Sequence, residues 1–490
     1  METTCTAGAA GATENLTPPS ESPSAIFVGP RPLETGEKLY GRDHEVAELS
    51  GLMICERVVL LHAPSGAGKT SLIQAGLIPV MEEEGFHVPR ASADEESVSL
   101  APALPVGRSL SLPAKPIVLR VNRPPRVDDP AKSNRYLLSV MLNLEAMREK
   151  SARRSLTDLA TISFATYIAE LIPKPSLLIF DQFEEIMTQD PTDDAVKREF
   201  FHQVGIALQN PVVWALFTMR EDFLPALRPY FNPLPKRLAA SFRLDFLRRD
   251  QALAAMVKPT TEAKIEFKVA DALVRNLLLV NVQLPDGTFQ KKEGVYVEPV
   301  LLQVVCLRLL EKNAGKKSIE EGDVGCDLSQ GVSKVLEDYY TDIVLKACKK
   351  AGVKERDVRN WVGRQLIHDR VRHPVRMGEE VAQGINQGCL DVLDKAFLVR
   401  KELRGGVFWY ELAHDRLIDP VIAGNLSFQA KLSTFQKQAE LWDKQGRPTD
   451  LLVRDNVLRE GERLAAEKAA DMTDAERAYL KASQGHLKAE

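Results

Sequence analysis

Lys69 and Thr70 follow directly after a glycine-rich stretch, and their types and position point to phosphate chemistry. The apolar run at 58–62 predicts a buried strand before the stretch, and a helix is predicted to begin at Lys69. A strand, a glycine loop and a helix in this order are typical of a phosphate-binding loop. Backbone N–H groups would surround a polyphosphate, the lysine would neutralise the β and γ phosphates, and the threonine hydroxyl would bind Mg²⁺. The alternative is a turn that binds nothing. The predicted nucleotide-binding residues of the loop are Ser65, Gly66, Ala67, Gly68, Lys69, Thr70 and Ser71.

The loop departs from the GxxxxGK[ST] pattern at one position, because Ala63 stands where the first glycine belongs. Alanine can hold a turn that stays at negative φ, so we interpret the change as a tolerated variant.

Acidic and basic side chains end two later apolar runs. Asp181 follows the run 175–180, where a phosphate-loop NTPase places its magnesium-linked acid. Glu184 or Glu185 is predicted to orient or deprotonate an attacking water. Arg220 ends the run 211–219 and would meet the γ-phosphate, or else form an ion pair with an adjacent acid. The predicted catalytic residues are Lys69, Asp181, Glu184, Glu185 and Arg220, and the predicted metal ligands are Thr70 and Asp181.

Two further segments carry candidate nucleotide contacts. Tyr40, Gly41 and Arg42 precede the loop, and an aromatic-Gly-Arg segment there is well placed to pack against an adenine base. Ordinary packing and an ion pair are the alternative. His414, beside Asp415, could bind a β-phosphate, although a lone histidine is more often structural.

Length and composition exclude several classes of protein. The 490 residues predict about three domains. A net charge of −4 predicts no bulk attraction to nucleic acid or anionic membranes. The 6 cysteines contain no CxxC pair, which argues against a zinc site or a disulfide framework and fits a reducing cytoplasm. No apolar run reaches the roughly 18 residues of a membrane span.

The order of strand and helix signals predicts an α/β P-loop fold with a parallel five-stranded sheet. Helices dominate after residue 248, and a short hairpin turning at Gly405–Gly406 after two helices predicts a winged-helix-like unit. We therefore predict a disordered tail (1–25), a P-loop NTPase domain (26–247), a helical lid domain (248–330), a winged-helix-like domain (331–425) and a C-terminal helical segment (426–490).

Six segments, in the same order as in the family, resemble the STAND class of signal-transduction ATPases, specifically the bacterial novel-STAND type, related to NACHT and NB-ARC switches. They are VGPRPLETGEKLYGRDHEV, APSGAGKTSLIQAGLIP, LLIFDQFEEI, TMREDFLPAL, EPVLLQVVCLRLL and ELAHDRLI. The resemblance implies that Arg220 is the sensor arginine, that Pro299 packs near adenine and that His414 senses ADP.

The resemblance also implies a switch that binds ATP or ADP with Mg²⁺, is locked by ADP, hydrolyses ATP slowly and self-associates when activated, in antiviral defence or signalling. Family members usually continue into sensor or effector domains, so either this is a core fragment or separate proteins supply them. The competing hypotheses are an AAA+-like ATPase motor and a winged-helix transcriptional regulator. The mixed charge of the segment 388–398 argues against specific nucleic-acid binding.

Overall fold

The fold is described from a computed structural model. It covers residues 23–92, 116–121, 134–172, 174–188, 190, 192–283, 289–324, 328–368, 370–376, 385–404, 407–468 and 472–489. Most of the predicted N-terminal tail and the turn residues Gly405–Gly406 lie outside these ranges.

A five-stranded parallel sheet forms the centre of the N-terminal half, as predicted. Its strands lie in the order β2-β3-β4-β1-β5. They are β1 (Val58–Ala63), β2 (Val118–Leu119), β3 (Ser176–Phe180), β4 (Val213–Arg220) and β5 (Ser241–Arg243). The carboxyl ends of β1 and β4 meet, because Ala63 is in register with Arg220. The sheet thus brings the loop after β1 and the polar residue that ends β4 to one edge.

Helices cover both faces of this sheet. They are α2 (Asp43–Glu56), α3 (Lys69–Ser71), α4 (Ile78–Glu83), α5 (Arg135–Glu145), α6 (Leu156–Thr161), α7 (Phe164–Leu171), α8 (Glu185–Thr188), α9 (Asp194–Ala207) and α10 (Leu224–Leu227), whereas α1 (Pro23–Ile26) packs against the helical part that follows. A π-helical segment, Leu72–Leu77, joins α3 to α4. Side chains of β1 alternate between two cores: Val58 and Leu60 pack on one face, and Val59 and Leu61 on the other. This alternation is the period of two expected of a strand buried on both faces.

The following part of the chain is mainly helical. Its helices are α11 (Arg249–Glu262), α12 (Ala270–Leu278), α13 (Pro299–Lys312), α14 (Glu321–Val324), α15 (Leu328–Ala351), α16 (Glu355–Gln365), α17 (Gln387–Lys395) and α18 (Ile418–Ala430). One hydrophobic core runs from Leu247 to Val421 and also takes in Phe27. The domain boundary predicted between 330 and 331 lies inside α15, which crosses this shared core.

Short strands are inserted between these helices. They are β6 (Glu266–Phe267), β7 (Leu279–Gln283), β8 (Phe289–Glu293), β9 (Ser318–Ile319), β10 (Ile367–His368), β11 (Val371–Arg372), β12 (Val375–Arg376), β13 (Val399–Arg404) and β14 (Val407–Leu412). Strands β7 and β8 form an antiparallel pair. Strands β12, β14 and β13 form an antiparallel sheet, with β12 before α17 in the chain and the β13–β14 pair after it.

The chain closes with three helices around a small core of their own. They are α19 (Thr434–Lys444), α20 (Asp455–Lys468) and α21 (Asp474–Ala489). Phe435, Trp442 and Tyr479 pack together at its centre. Buried Glu476 accepts a 2.5 Å hydrogen bond from Arg356, which fastens this bundle to α16. Within the described ranges, no helix combines the length and the apolar character that crossing a membrane requires.

Candidate nucleotide-binding site

A cleft of about 400 Å³ opens at the carboxyl edge of the sheet, between the sheet and the helical part of the chain. Four separate parts of the sequence line it. They are the segment 26–42, the loop 65–71, the ends of β2, β3 and β4, and a group from the helical part made up of Leu247, Ala255, Pro259, Pro299, Val300, Leu302, Gln303 and Phe397.

The loop after β1 has the conformation that its glycines predict. Gly66 and Gly68 have φ of +79° and +91°, and a Cβ atom at either position would meet nothing within 4 Å. Glycine is therefore needed for the backbone conformation and leaves the concave side open to a ligand. Ala63 is the last residue of β1, is fully buried, and is not among the residues with positive φ. The departure from the glycine pattern thus falls where the backbone does not need glycine.

Lys69 begins the helix after the loop and faces two carboxylates. Burial lowers the pKa of Lys69, and the nearby charges of Glu184 and Asp181 oppose this shift. Thr70 and Ser71 also line the cleft, and the Ser71 hydroxyl accepts a 3.1 Å hydrogen bond from the backbone N–H of Leu33. This bond ties the start of the helix to the segment that forms the opposite wall.

Asp181 is buried at the end of β3, and both of its carboxylate oxygens accept hydrogen bonds. Arg120 donates to one oxygen at 3.1 Å, and the buried Thr218 hydroxyl donates to the other. Arg120 also lines the cleft, which brings a second cation to the acid predicted to bind magnesium. We had not predicted a role for Arg120, although its place at the end of the run PIVL would have indicated one.

The two glutamates after Asp181 are separated by the fold. Gln182 has a φ of +52°, a rare conformation for a residue other than glycine, and lies in the cleft wall. Glu184 lines the cleft and accepts a 3.3 Å hydrogen bond from the backbone N–H of Arg220. Burial raises the pKa of Glu184, while Lys69 opposes this shift. Glu185 begins α8 and is not among the lining residues.

Arg220 lines the cleft and is also paired. Its guanidinium donates to both oxygens of Asp222, at 3.1 and 2.6 Å, and lies over the Phe223 ring. Arg220 can therefore pair with Asp222 and still contact a ligand in the cleft.

The three residues Tyr40, Gly41 and Arg42 have different surroundings. Tyr40 and Arg42 line the cleft, whereas Gly41 does not. Arg42 is 4% exposed and donates to the Ala67 carbonyl at 3.2 Å and to Glu45 at 2.6 Å. Its guanidinium thus stabilises the phosphate-binding loop through the Ala67 carbonyl.

Gly41 is a point of close approach to the helical part of the chain. Its φ is +75°, and a Cβ atom there would lie 2.3 Å from the backbone oxygen of Gln251 in α11. The same helix also bonds Glu45, which accepts a 2.7 Å hydrogen bond from the Gln251 side chain.

His414 lies outside the residues that line the cleft, whereas Pro299 is one of them. The Nδ1 atom of His414 accepts a 3.0 Å hydrogen bond from the backbone N–H of Arg416. The other ring nitrogen, Nε2, contacts Oε1 of Glu298, the residue directly before Pro299. Burial, together with Arg372 and Arg416, lowers the pKa of His414 to about 3, which favours the neutral ring at pH 7.

Arg416 connects the segment that follows β14 to the end of α12. Its guanidinium donates to the carbonyl of Leu279 at 2.7 Å and to that of Asn276, at the carboxyl end of α12. We had not predicted this arginine, which lies two residues after His414. Gln303, whose side chain accepts a 3.0 Å hydrogen bond from the backbone N–H of Val28, is another lining residue that the sequence patterns did not single out.

The glycine loop, the half-buried lysine that follows it and the acid at the end of a nearby strand define a P-loop NTPase. A family model agrees: the model of Novel STAND NTPase 1 matches residues 33–322, and the chain belongs to this family. The match confirms the predicted resemblance. No curated protein matches the chain.

Among solved structures, the chain is similar to a Walker-type ATPase of Pyrococcus abyssi, with 14% identity over 81% of this chain and 99% of that one and a TM-score of 0.41. It is also similar to the ORC2 protein of Aeropyrum pernix in its ADPNP-ADP complexes, with 14% identity over 84% of this chain and 99% of that one and a TM-score of 0.39.

Proposed function

We propose that this protein is a nucleotide-gated switch that binds ATP or ADP with Mg²⁺, is locked by ADP when inactive and hydrolyses ATP slowly. One observation carries the proposal. A single cleft joins the phosphate-binding loop to Pro299 of α13 and to Phe397, which follows α17. A ligand in this cleft would touch the sheet and both stretches of the helical part. The identity of that ligand can therefore bias how these parts pack.

The residues of the cleft fit a magnesium nucleotide. Lys69 and the loop N–H groups would hold the phosphates, and Thr70 with Asp181 would hold the metal ion. Lys69, Arg120 and Arg220 bring positive charge to one end, while Val28, Pro299 and Leu302 make apolar surface available to a base. The bound nucleotide supplies a γ-phosphoryl group for transfer to water. Glu184 is the carboxylate placed to orient that water, because it lies in the cleft and Glu185 does not.

The helical part would act as a lid over the cleft and would carry a winged-helix-like unit that keeps the protein closed on ADP. We assign residues 248–330 to the lid and 331–425 to a winged-helix-like unit. The antiparallel sheet of β12, β14 and β13, whose last two strands follow α17, supports the second assignment. His414 would act on the nucleotide through Glu298 and Pro299 rather than by direct contact.

Exchange of ADP for ATP would release the winged-helix-like unit from the nucleotide cleft and allow the protein to self-associate. A separate sensor or effector protein would be its partner. We place this switch in the cytoplasm, in antiviral defence or signal transduction, on the basis of the family alone.

The test is to purify the protein without added nucleotide, denature it and identify what is released. We expect close to one ADP per chain, and we expect the Lys69→Ala variant to carry none. Lys236→Ala is the matched control, since Lys236 is an exposed lysine paired with Glu56 outside the cleft. An empty site together with rapid ATP turnover that depends on protein concentration would contradict the locked switch and favour the motor.

A further inference from the structure

Phe397 occupies an unusual backbone position directly after α17. The backbone N–H groups of Leu398 and Phe397 donate to the carbonyls of Leu393 and Asp394, at 3.0 and 2.9 Å. These two bonds are the Schellman arrangement that ends a helix, and the residue in the middle takes a left-handed conformation that favours glycine. Here that residue is a phenylalanine with a φ of +50°. It is the one aromatic residue with positive φ in the described ranges.

The phenylalanine is also exposed where its neighbours are buried. Leu393 and Leu398 are fully buried and supply the apolar contact that such a helix end requires. The Phe397 side chain is 39% exposed and lines the nucleotide cleft. The ring is therefore not needed to complete the core, and its position carries a backbone cost that glycine would avoid.

The turn that holds Phe397 is fastened to the helix that forms the cleft wall. The hydroxyl of Tyr339 in α15 donates to the carbonyl of Ala396. Arg308 of α13 lies over the Tyr339 ring, with 5.4 Å between the guanidinium carbon and the ring centre. The first two turns of α13 supply Pro299 and Gln303 to the cleft. The turn that carries Phe397 is thus connected to that wall through Tyr339.

From these observations we infer that Phe397 packs against the nucleoside half of the bound nucleotide and is the side chain through which the chain after α17 senses an occupied cleft. The inference rests on the proposed function, because it assigns a role within the same site. Bases and riboses offer flat or apolar surface to an aromatic ring, whereas phosphates bind charged and N–H groups. The loop 65–71 already provides the charged and N–H groups that bind phosphates.

The experiment compares Phe397→Ala with Phe397→Gly. Both variants remove the ring, but only glycine relieves the left-handed backbone. Affinities for ADP and for pyrophosphate are measured by titration calorimetry on protein from which bound nucleotide has first been removed. We expect both variants to lose about tenfold in ADP affinity, equivalent to about 1.4 kcal/mol, with pyrophosphate affinity unchanged. Leu345→Ala, which removes an exposed apolar side chain outside the cleft, should bind both ligands like the wild type.

The outcomes separate this inference from the function on which it rests. If the wild-type protein does not bind ADP, both fail. Wild-type binding with unchanged affinity in both Phe397 variants overturns the inference alone. The inference also fails if glycine restores the affinity that alanine loses, since the backbone rather than the ring would then be responsible. An equal loss for ADP and pyrophosphate would place the effect on the phosphates and contradict it as well.

Discussion

The imidazole Nε2 of His414 contacts the carboxylate of Glu298, and Glu298 is joined directly to Pro299 in the wall of the nucleotide cleft. His414 lies 116 positions further along the chain than Glu298. The histidine can therefore influence the cleft without entering it.

Replacement of His414 by alanine is expected to speed ADP release about tenfold, because Glu298 would lose its contact with the imidazole and the adjacent Pro299 would be held less firmly. Release is measured by chasing bound ADP with an excess of ATP. A double-mutant cycle with Glu298→Ala provides the control. If the histidine acts through Glu298, the double variant should release ADP no faster than either single variant. Additive effects would instead indicate that His414 reaches the nucleotide by another route.

Glu184→Gln is expected to lower the rate of ATP hydrolysis by about 10² to 10⁴-fold while ADP affinity is retained, because an amide cannot accept the proton of the attacking water. Steady-state phosphate release measures the rate, and Glu185→Gln is the matched control. A larger loss in the Glu185 variant would reverse the assignment.

The hydrolysis rate should also depend on pH through Glu184. Burial raises the pKa of this carboxyl above its usual value of 4.5. Only the ionised form accepts a proton, so the rate should fall as the pH is lowered through this raised pKa. An exposed glutamate would lose activity only at lower pH. A pH–rate profile of kcat checks this, and a profile that is flat down to about pH 4.5 would contradict it.

Arg42→Ala is expected to lower the free energy of unfolding by about 3–5 kcal/mol, because it breaks a buried ion pair and removes a donor to the phosphate-binding loop. Arg198→Ala is the comparison: Arg198 and Asp194 form an ion pair at 2.7 Å in which both side chains are more than half exposed. Its loss should cost far less, because water screens an exposed pair. Chemical denaturation measures both, and similar losses would show that Arg42 does not support the fold.

Gly41→Ala is expected to destabilise the protein more than Gly36→Ala does. Both glycines have positive φ, so each substitution carries a backbone cost of about 1–2 kcal/mol. Only at Gly41 would the added Cβ also strike the backbone of Gln251, since nothing lies within 4 Å at Gly36. Thermal unfolding of the two variants gives the difference. Equal shifts in the unfolding temperature would mean that α11 can move away from the added Cβ atom at no cost in free energy.

The sequence predicted the features that depend on neighbouring residues. The phosphate-binding loop depends on consecutive backbone N–H groups, and two glycines in the left-handed region encode it locally. The five parallel strands were predictable because strands buried on both faces are continuous apolar runs. Their ends were less exact: the run 116–122 contributes only Val118–Leu119 to the sheet.

Residues brought together over long distances were predicted less well. Phe397 was expected to continue the helix at 388–398, because its apolar side chain fits the helical pattern. The helix instead ends at Lys395, and the ring lies in the cleft. Local periodicity does not report a left-handed residue when that residue is not glycine.

The sequence by itself thus determined the phosphate-binding loop, the polar residues that end the apolar strands, and the family. Only the tertiary structure decided which glutamate enters the cleft, that Arg120 meets Asp181, and that Phe397 rather than His414 lines the site. The physical reason is that a phosphate-binding loop is formed by adjacent residues. The walls of the cleft depend on how the helical part of the chain packs against the sheet, and Phe397 lies more than 150 residues after its last strand.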